Sequence, residues 1–333
     1  MLKKREMKNI LMLDTSVGSQ NKGDEIIMEC VRKELNFLLE DNFEYTLPTH
    51  VSPFHWYQVW RNSLRVRSYA NCDLKFVGGT NILAKNMLTH YPQWNINLFN
   101  CAPLSGCVLV GAGAGAGDKR NWYTRKLYRK VLSHDFYHSC RDERTKLYVE
   151  QELGLKAINT GCVTMWMLTP DFCKKIPKTK SQRVVFTLTA GDFDERDQRL
   201  IDILNSNYRE VFFWPQGIND LDFLYAYKNI ENIHIIPPSK QAYDSFLTNN
   251  DTDYVGTRLH GGVYAIRHRR RSIIISIDER AREINKVNNL VCIEKNEIHS
   301  QLAILINSDI TTKIEMNFGA IESWKSQFMC FKH

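Results

Sequence analysis

The clearest periodicity lies in the second half of the chain. Short β-branched or aromatic runs at residues 184–188, 211–214, 233–236, 254–255, 273–277 and 291–293 alternate with segments of helical spacing such as 197–204 and 239–248. Runs that are apolar on both sides predict parallel strands covered by helices on both faces. The first half follows the same pattern less regularly. Strands are predicted at 10–13, 74–77, 108–110 and 136–139, with a long helix over about 25–39. Residues 50–70 are rich in Trp, Tyr and Arg without a clean period and read as a loop-and-helix insertion.

The fold class that follows is α/β, with two Rossmann-like domains built on parallel sheets. A length of 333 residues fits two domains. The Pro- and Lys-containing stretch 169–182 reads as the linker. It separates an N-terminal domain, 1–168, from a C-terminal domain, 183–309. The tail 310–333 carries Trp324, Phe328 and Phe331 at near-helical spacing and is expected to pack back on the first domain. A cleft at the carboxyl ends of the strands is the expected place for a ligand.

Composition narrows the chemistry. No apolar run approaches the ~18 residues of a membrane span, and the apolar stretch at 10–13 is too short for a signal peptide. A cytoplasmic protein is expected. Nine cysteines are scattered, with no C-x-x-C spacing, so neither a disulfide framework nor a zinc ribbon is indicated. Lys and Arg number 44 against 37 Asp and Glu, a net charge of +7 that suits an anionic substrate or surface. Nothing resembles a nucleic-acid-binding module.

Several polar or glycine-rich clusters follow predicted strands. Asn21-Lys22-Gly23-Asp24 precedes the long helix, with Gly23 for a tight turn and Asp24 as a cap. Gly78-Gly79-Thr80-Asn81 follows the strand at 74–77. The loop Gly111–Gly117 fits the loose pattern G-x-G-x-x-A, but it lies deep in the domain and lacks a well-placed acidic partner. A nicotinamide or flavin is therefore not expected, and no cofactor is assigned. Arg141-Asp142 ends a strand and opens a helix, and Trp214-Pro215-Gln216-Gly217 ends another.

The strongest cluster is Gly256-Thr257-Arg258-Leu259-His260-Gly261. Arg258 offers a planar fork for carboxylate or phosphate, and His260 can move a proton near neutral pH. An Arg-x-His pair between glycines at a strand's carboxyl end points to function. His134 and His138 are four apart, but in a strand that spacing places them far apart along one face. No metal site is indicated. The basic–aromatic stretch 118–130 and the run 267–271 read as solvated surface or as contacts to phosphate, from a substrate or a lipid headgroup.

In this order the clusters resemble the polysaccharide pyruvyl transferase family, and the resemblance runs through most of the chain. It implies a two-domain enzyme of the GT-B type with its active site in the interdomain cleft. It implies transfer of the enolpyruvyl carbons of phosphoenolpyruvate onto a hexose of a surface-polysaccharide precursor, giving a cyclic pyruvate ketal and phosphate. Arg141, Arg258, Leu259, His260 and Gly261 would then bind the donor, with His260 and Arg258 taking part in the chemistry. Family members often carry a tyrosine and lysine pattern after the strand at 272–277. Here Asp278-Glu279-Arg280-Ala281-Arg282 stands instead, so the donor-site lysine is either replaced, by Arg280 or Arg282, or missing, and Arg280 is carried as the donor-site residue. Asn21, Asp24, Asn81 and His90 are expected on the acceptor side. The acceptor is expected to be carried on a polyprenyl diphosphate at the inner membrane face, met by the stretch 118–130. A glycosyltransferase of the same architecture, using a nucleotide sugar, remains the alternative.

Overall fold

A computed structural model describes residues 7–89, 93–115, 120–277 and 287–332. The chain forms two units. The first comprises residues 1–19, 27–166 and 317–333, and the second 20–26 and 167–316. The long helix Lys22–Glu34 begins in the second unit and continues in the first. Its first turn carries Asp24 and Glu25 and its last turn Arg32 and Lys33, charges that match the helix dipole. The helix ends earlier than its hydrophobic pattern predicts. The chain turns at Leu35 (φ −97°, ψ 5°) and restarts as the short helix Asn36–Leu39, burying both Leu35 and Leu38.

In the first unit a parallel sheet runs in the order β2-β1-β3-β4: Phe43–Pro48, Asn9–Asp14, Leu74–Gly78 and Val108–Val110. β5 (His138–Cys140) and β6 (Ala157–Asn159) form a two-stranded parallel sheet beside β4. The Ala112↔Cys140 bridge joins the segments that follow β4 and end β5. The sequence pattern predicts neither β2 nor β6. β2 is an edge strand with no buried residue, and β6 spans three residues. The strand expected at 136–139 is displaced to His138–Cys140. Phe136 leaves the ladder and packs its ring against Phe328 and Phe331.

The second unit holds a six-stranded, all-parallel sheet in the order β12-β11-β10-β7-β8-β9. The strands are Arg183–Thr187 (β7), Glu210–Phe213 (β8), Ile233–Ile235 (β9), Asp253–Gly256 (β10), Ser272–Ser276 (β11) and Cys292–Glu294 (β12). From β7 the chain builds outward through β8 and β9, then returns to place β10 on the other side of β7. That is the doubly wound order, and it reverses direction between β7 and β10. Val184, Phe186, Phe213, Val255, Ile273 and Ile275 form the sheet's part of one core with Leu200 and Leu204 of the helix Glu195–Asn207. The helices Pro170–Cys173 and Phe318–Ser326 lie on the stretch read as linker and in the tail. Within the first unit, Trp324 donates from Nε1 to the Tyr137 carbonyl at 2.8 Å, and Phe328 packs edge-on to Phe76.

Candidate functional site

The strand order reverses between β7 and β10, and α/β sheets of this kind take ligands in the crevice at the carboxyl ends of the strands beside such a reversal. The segment Gly256–Gly261 leaves β10 there and opens the helix Leu259–Arg267. It is fixed from several sides. Thr257 N–H donates to the Thr187 carbonyl at 3.1 Å and Arg258 N–H to Thr187 Oγ1 at 3.2 Å. Tyr254 donates its phenol to the Arg258 carbonyl at 2.7 Å, and burial pushes the ionisation of that phenol up, so it stays a donor. Tyr243 reaches the Gly261 carbonyl at 3.0 Å while its ring stacks on Trp214.

Arg258 does not stand alone in the crevice. Its Nε donates to Asp220 Oδ2 at 3.0 Å and its Nη2 donates to Asp220 Oδ1. Asp220, fully buried, also accepts from Gly217 N–H at 2.7 Å and Ala190 N–H at 3.2 Å. One carboxylate thus joins the loops after β7, β8 and β10 and orients the guanidinium. The sequence offered a faint signal for it, an acid three residues after Gly217 at the start of the helix Asp220–Leu224.

The segment Gln20–Ile26 belongs to the same unit, so Asn21 and Asp24 lie with Arg258, Leu259, His260 and Gly261. The sequence reading had placed them with Asn81. Lys22 N–H donates to the Gln216 carbonyl at 2.8 Å, and Gln216 Nε2 donates to Asn21 Oδ1 at 2.9 Å. Backbone pairing, which a sequence pattern does not show across nearly 200 residues, makes this assignment. His260 is mostly buried. A methyl group at Gly23 would stand 2.9 Å from Gln216 Nε2 and 3.4 Å from His260 Nδ1, so the glycine permits this close approach. Among the described residues, Gln216 Oε1 is a buried acceptor with no hydrogen-bond partner.

The first unit gathers Asn81 and Arg141. Arg141 N–H donates to the Ala112 carbonyl at 2.9 Å, its Nη2 donates to Asn81 Oδ1 at 2.5 Å, and its Nε pairs with Asp142 at 3.2 Å. Gly113 lies under the guanidinium. A methyl group there would come within 2.5 Å of Arg141 Nε. The loops after β3, β4 and β5 thereby converge on one largely buried cation.

Beside Asn81 the first unit has a cavity of about 540 Å³ lined by Asn81, Ala84, Lys85, Asn86, Thr89, Gln93 and Gly115. Its amides, hydroxyl and ammonium provide donors and acceptors suited to sugar hydroxyls. The sequence points to the stretch 81–94 for sugar contacts and to the loop Gly111–Gly117, and the lining residues come from these two stretches, although apart from Asn81 no single one of them is marked out as a contact. They lie in segments with few regular elements and no periodicity. His90 and Arg280 lie outside the described residues.

The basic run 267–271 is neither solvated surface nor a phosphate site at its most buried member. Arg271 pairs with Asp253 at 2.6 Å and donates to the carbonyls of Leu305, Ile306 and Ser308. Among the described residues, no group of three His, Cys, Asp or Glu side chains could hold a metal ion. No described helix is long and apolar enough to cross a membrane.

The family model for polysaccharide pyruvyl transferase matches residues 21–279, which span both units and all the clusters above. The chain belongs to the polysaccharide pyruvyl transferase family. It is a transferase of the pyruvyl type, with a sugar or polysaccharide as acceptor. No curated protein is significantly similar to it. Among solved structures, 97% of the chain aligns with all of the Methanocaldococcus jannaschii UDP-GlcNAc 2-epimerase, solved with UDP-GlcNAc and UDP. The identity is 13% and the TM-score 0.53. A second likeness is to S. aureus MnaA solved with UDP, at 10% identity and TM-score 0.52, covering 98% of this chain and 97% of that one. These likenesses establish a GT-B-like fold of two Rossmann-like domains.

Proposed function

We propose that the enzyme moves the enolpyruvyl group of phosphoenolpyruvate onto a hexose of a capsular, exopolysaccharide or cell-wall precursor, forming a cyclic pyruvate ketal. The observation that carries this reading is the Gly256–Gly261 segment, which sets Arg258 and His260 at the switch point of a doubly wound sheet. Phosphoenolpyruvate carries a phosphate and a carboxylate, and arginine binds both through charge-assisted hydrogen bonds. Arg258 contacts the donor from the second unit, beside the first-turn N–H groups of the helix Leu259–Arg267. Arg141 contacts an anionic group of a substrate from the first unit.

In the reaction the methylene carbon C3 takes a proton and C2 becomes cation-like. One sugar hydroxyl attacks C2 and loses its proton, the C2–O bond to phosphate breaks, and a second hydroxyl attacks C2 and loses its proton to close the ketal; of the two protons released, one balances that added at C3 and the other leaves on phosphate. His260 is the proton carrier in this scheme, a role worth typically ~10²–10⁴-fold. The unpartnered Gln216 Oε1 near Gly261 supports a ligand that brings a hydroxyl donor. The acceptor is carried on a polyprenyl diphosphate and is met at the inner face of the plasma membrane. The test is a reaction in heavy water with phosphoenolpyruvate and candidate lipid-linked or short sugar acceptors. The reading requires acceptor-dependent phosphate release and one deuterium in the ketal methyl group. Acceptor-dependent phosphate release that leaves no pyruvyl group on the sugar would refute it.

A further inference from the structure

Four neighbouring elements of the first unit leave large apolar side chains in solvent. The helix Trp56–Arg61 buries none of its residues. Trp56 is 65% exposed and Trp60 80%, and Leu64, which opens the next helix, is also 80% exposed. Phe99 is 78% exposed and Trp122, at the start of the helix Trp122–Val131, 65%. The opposite face of that last helix is buried through Thr124, Leu127, Tyr128 and Val131. Trp122 is thus on the unpartnered face of a well-seated helix, whereas the helix Trp56–Arg61 touches the core only through the partly buried Val59.

The elements lie side by side. The helices Leu64–Ala70 and Trp122–Val131 both pack on the turn Ala102–Leu104. The Asn100 side chain donates to Ser52 Oγ at 2.9 Å and to the Phe54 carbonyl at 3.2 Å, fixing the turn of Phe99 to the lead-in of the helix Trp56–Arg61. On its other side, Leu98 N–H donates to the Tyr123 hydroxyl at 3.4 Å. Leaving several such residues in water forfeits burial energy, and monomers rarely expose apolar clusters without a partner.

Charge identifies the partner. Residues 49–134 contain eleven Lys and Arg but only two acids, Asp73 and Asp118. Arg61, Arg65, Lys126 and Arg129 are exposed among the aromatic side chains. Indole rings favour the headgroup level of a bilayer, and Lys and Arg favour anionic headgroups. The surface also adjoins the amide-lined cavity. Asn86 on the cavity wall accepts from Asn121 Nδ2 at 2.8 Å, and Asn121 caps the helix that begins with Trp122.

We infer that the first unit docks on an anionic bilayer through Trp56, Trp60, Leu64, Phe99 and Trp122, with the basic side chains between them. The contact therefore extends well beyond the 118–130 stretch, and its main apolar anchors come from 56–64. This inference deepens the reading of a lipid-carried acceptor: a sugar held in the cavity beside Asn86 would leave its lipid near Trp122, in the membrane. Its purpose rests on that reading, while the docking itself does not.

The experiment is flotation of the full chain with vesicles of phosphatidylcholine, with and without phosphatidylglycerol, read alongside indole fluorescence and oligomeric state. The wild type floats with anionic vesicles, its indole emission shifts to the blue, and salt weakens binding. Two double variants, Trp56→Ser with Trp60→Ser and Arg61→Gln with Arg65→Gln, each lose at least ~10-fold in vesicle affinity. Both keep turnover of a water-soluble acceptor. No flotation, equal binding to neutral vesicles, or unchanged binding by both variants overturns the inference. So does a wild-type dimer that Trp60→Ser dissociates, because the face would then be covered by a second copy. Vesicle binding without pyruvyl transfer to any acceptor would overturn the catalytic reading and leave the docking standing.

Discussion

Arg258 and Asp220 form a two-pronged ion pair in which the carboxylate is fully buried and the guanidinium is partly open. The same carboxylate accepts from the backbone after β7 and β8, so it anchors the crevice as well as the arginine. Two roles are combined in one contact, and mutation can separate them.

Arg258→Ala leaves Asp220 buried and uncompensated. It should cost about 3 kcal/mol of stability, the low end for a broken buried pair because Arg258 retains some exposure. Donor affinity should also fall by about one to two decades, as expected for lost hydrogen bonds to a charged group. The double variant Arg258→Leu with Asp220→Asn, which removes both charges and keeps an amide oxygen for the backbone N–H groups after β7 and β8, should recover part of the stability but none of the donor affinity. Wild-type donor affinity in that double variant, measured by calorimetry, would remove Arg258 from the donor site.

His260 lies beside Gly23 and Gln216 rather than in an isolated loop, which fits a group held in place for a proton transfer. His260→Ala should lower kcat by at least ~10²-fold with a smaller change in donor affinity. Raised KM with kcat kept would indicate a binding role instead.

The Arg141 guanidinium lies over Gly113 with no room for a side chain beneath it. Gly113→Ala should therefore displace Arg141 from Asn81 and reduce kcat/KM by about tenfold or more, the loss of one hydrogen bond to a charged group. Arg141→Ala should lower it at least as far. Wild-type kinetics in Gly113→Ala, with the melting temperature kept, would show that the position of Arg141 is immaterial to turnover.

The central strands of the second unit, β7, β10 and β11, were legible in the sequence because they are buried on both faces and read as short apolar runs. β2 was not, since an edge strand such as Phe43–Pro48 buries no residue and leaves no periodic trace. Arg258, His260 and Arg141 were legible from their glycine neighbours and strand ends. Asp220 was hidden because an acid at a helix start usually reads as a simple dipole partner. The grouping of Asn21 with Gln216 depends on backbone pairing between distant segments and has no local signature.

His138 provides a pH test of the first unit. Its Nδ1 accepts from Leu109 N–H at 3.2 Å and its Nε2 donates to the Ser133 carbonyl at 3.0 Å, so the ring is held neutral. Full burial pushes its pKa down to about 4. The unfolded imidazole titrates near ~6.5. Between these values the unfolded chain binds a proton that the native state does not, so stability falls as pH drops through that window. The loss from pH 7 to pH 5 should be about 2 kcal/mol. Urea unfolding of His138→Gln should show a shallower pH dependence, although the variant is less stable at pH 7. An equal slope in both proteins would assign the effect to other groups.

The central claim is that the crevice of the second unit takes phosphoenolpyruvate. Calorimetric titration of the wild-type protein with phosphoenolpyruvate, UDP and GDP tests it most directly. Phosphoenolpyruvate should bind, and neither nucleotide should. Binding of a nucleoside diphosphate with no heat from phosphoenolpyruvate would contradict the account and favour a nucleotide-sugar enzyme of the same fold.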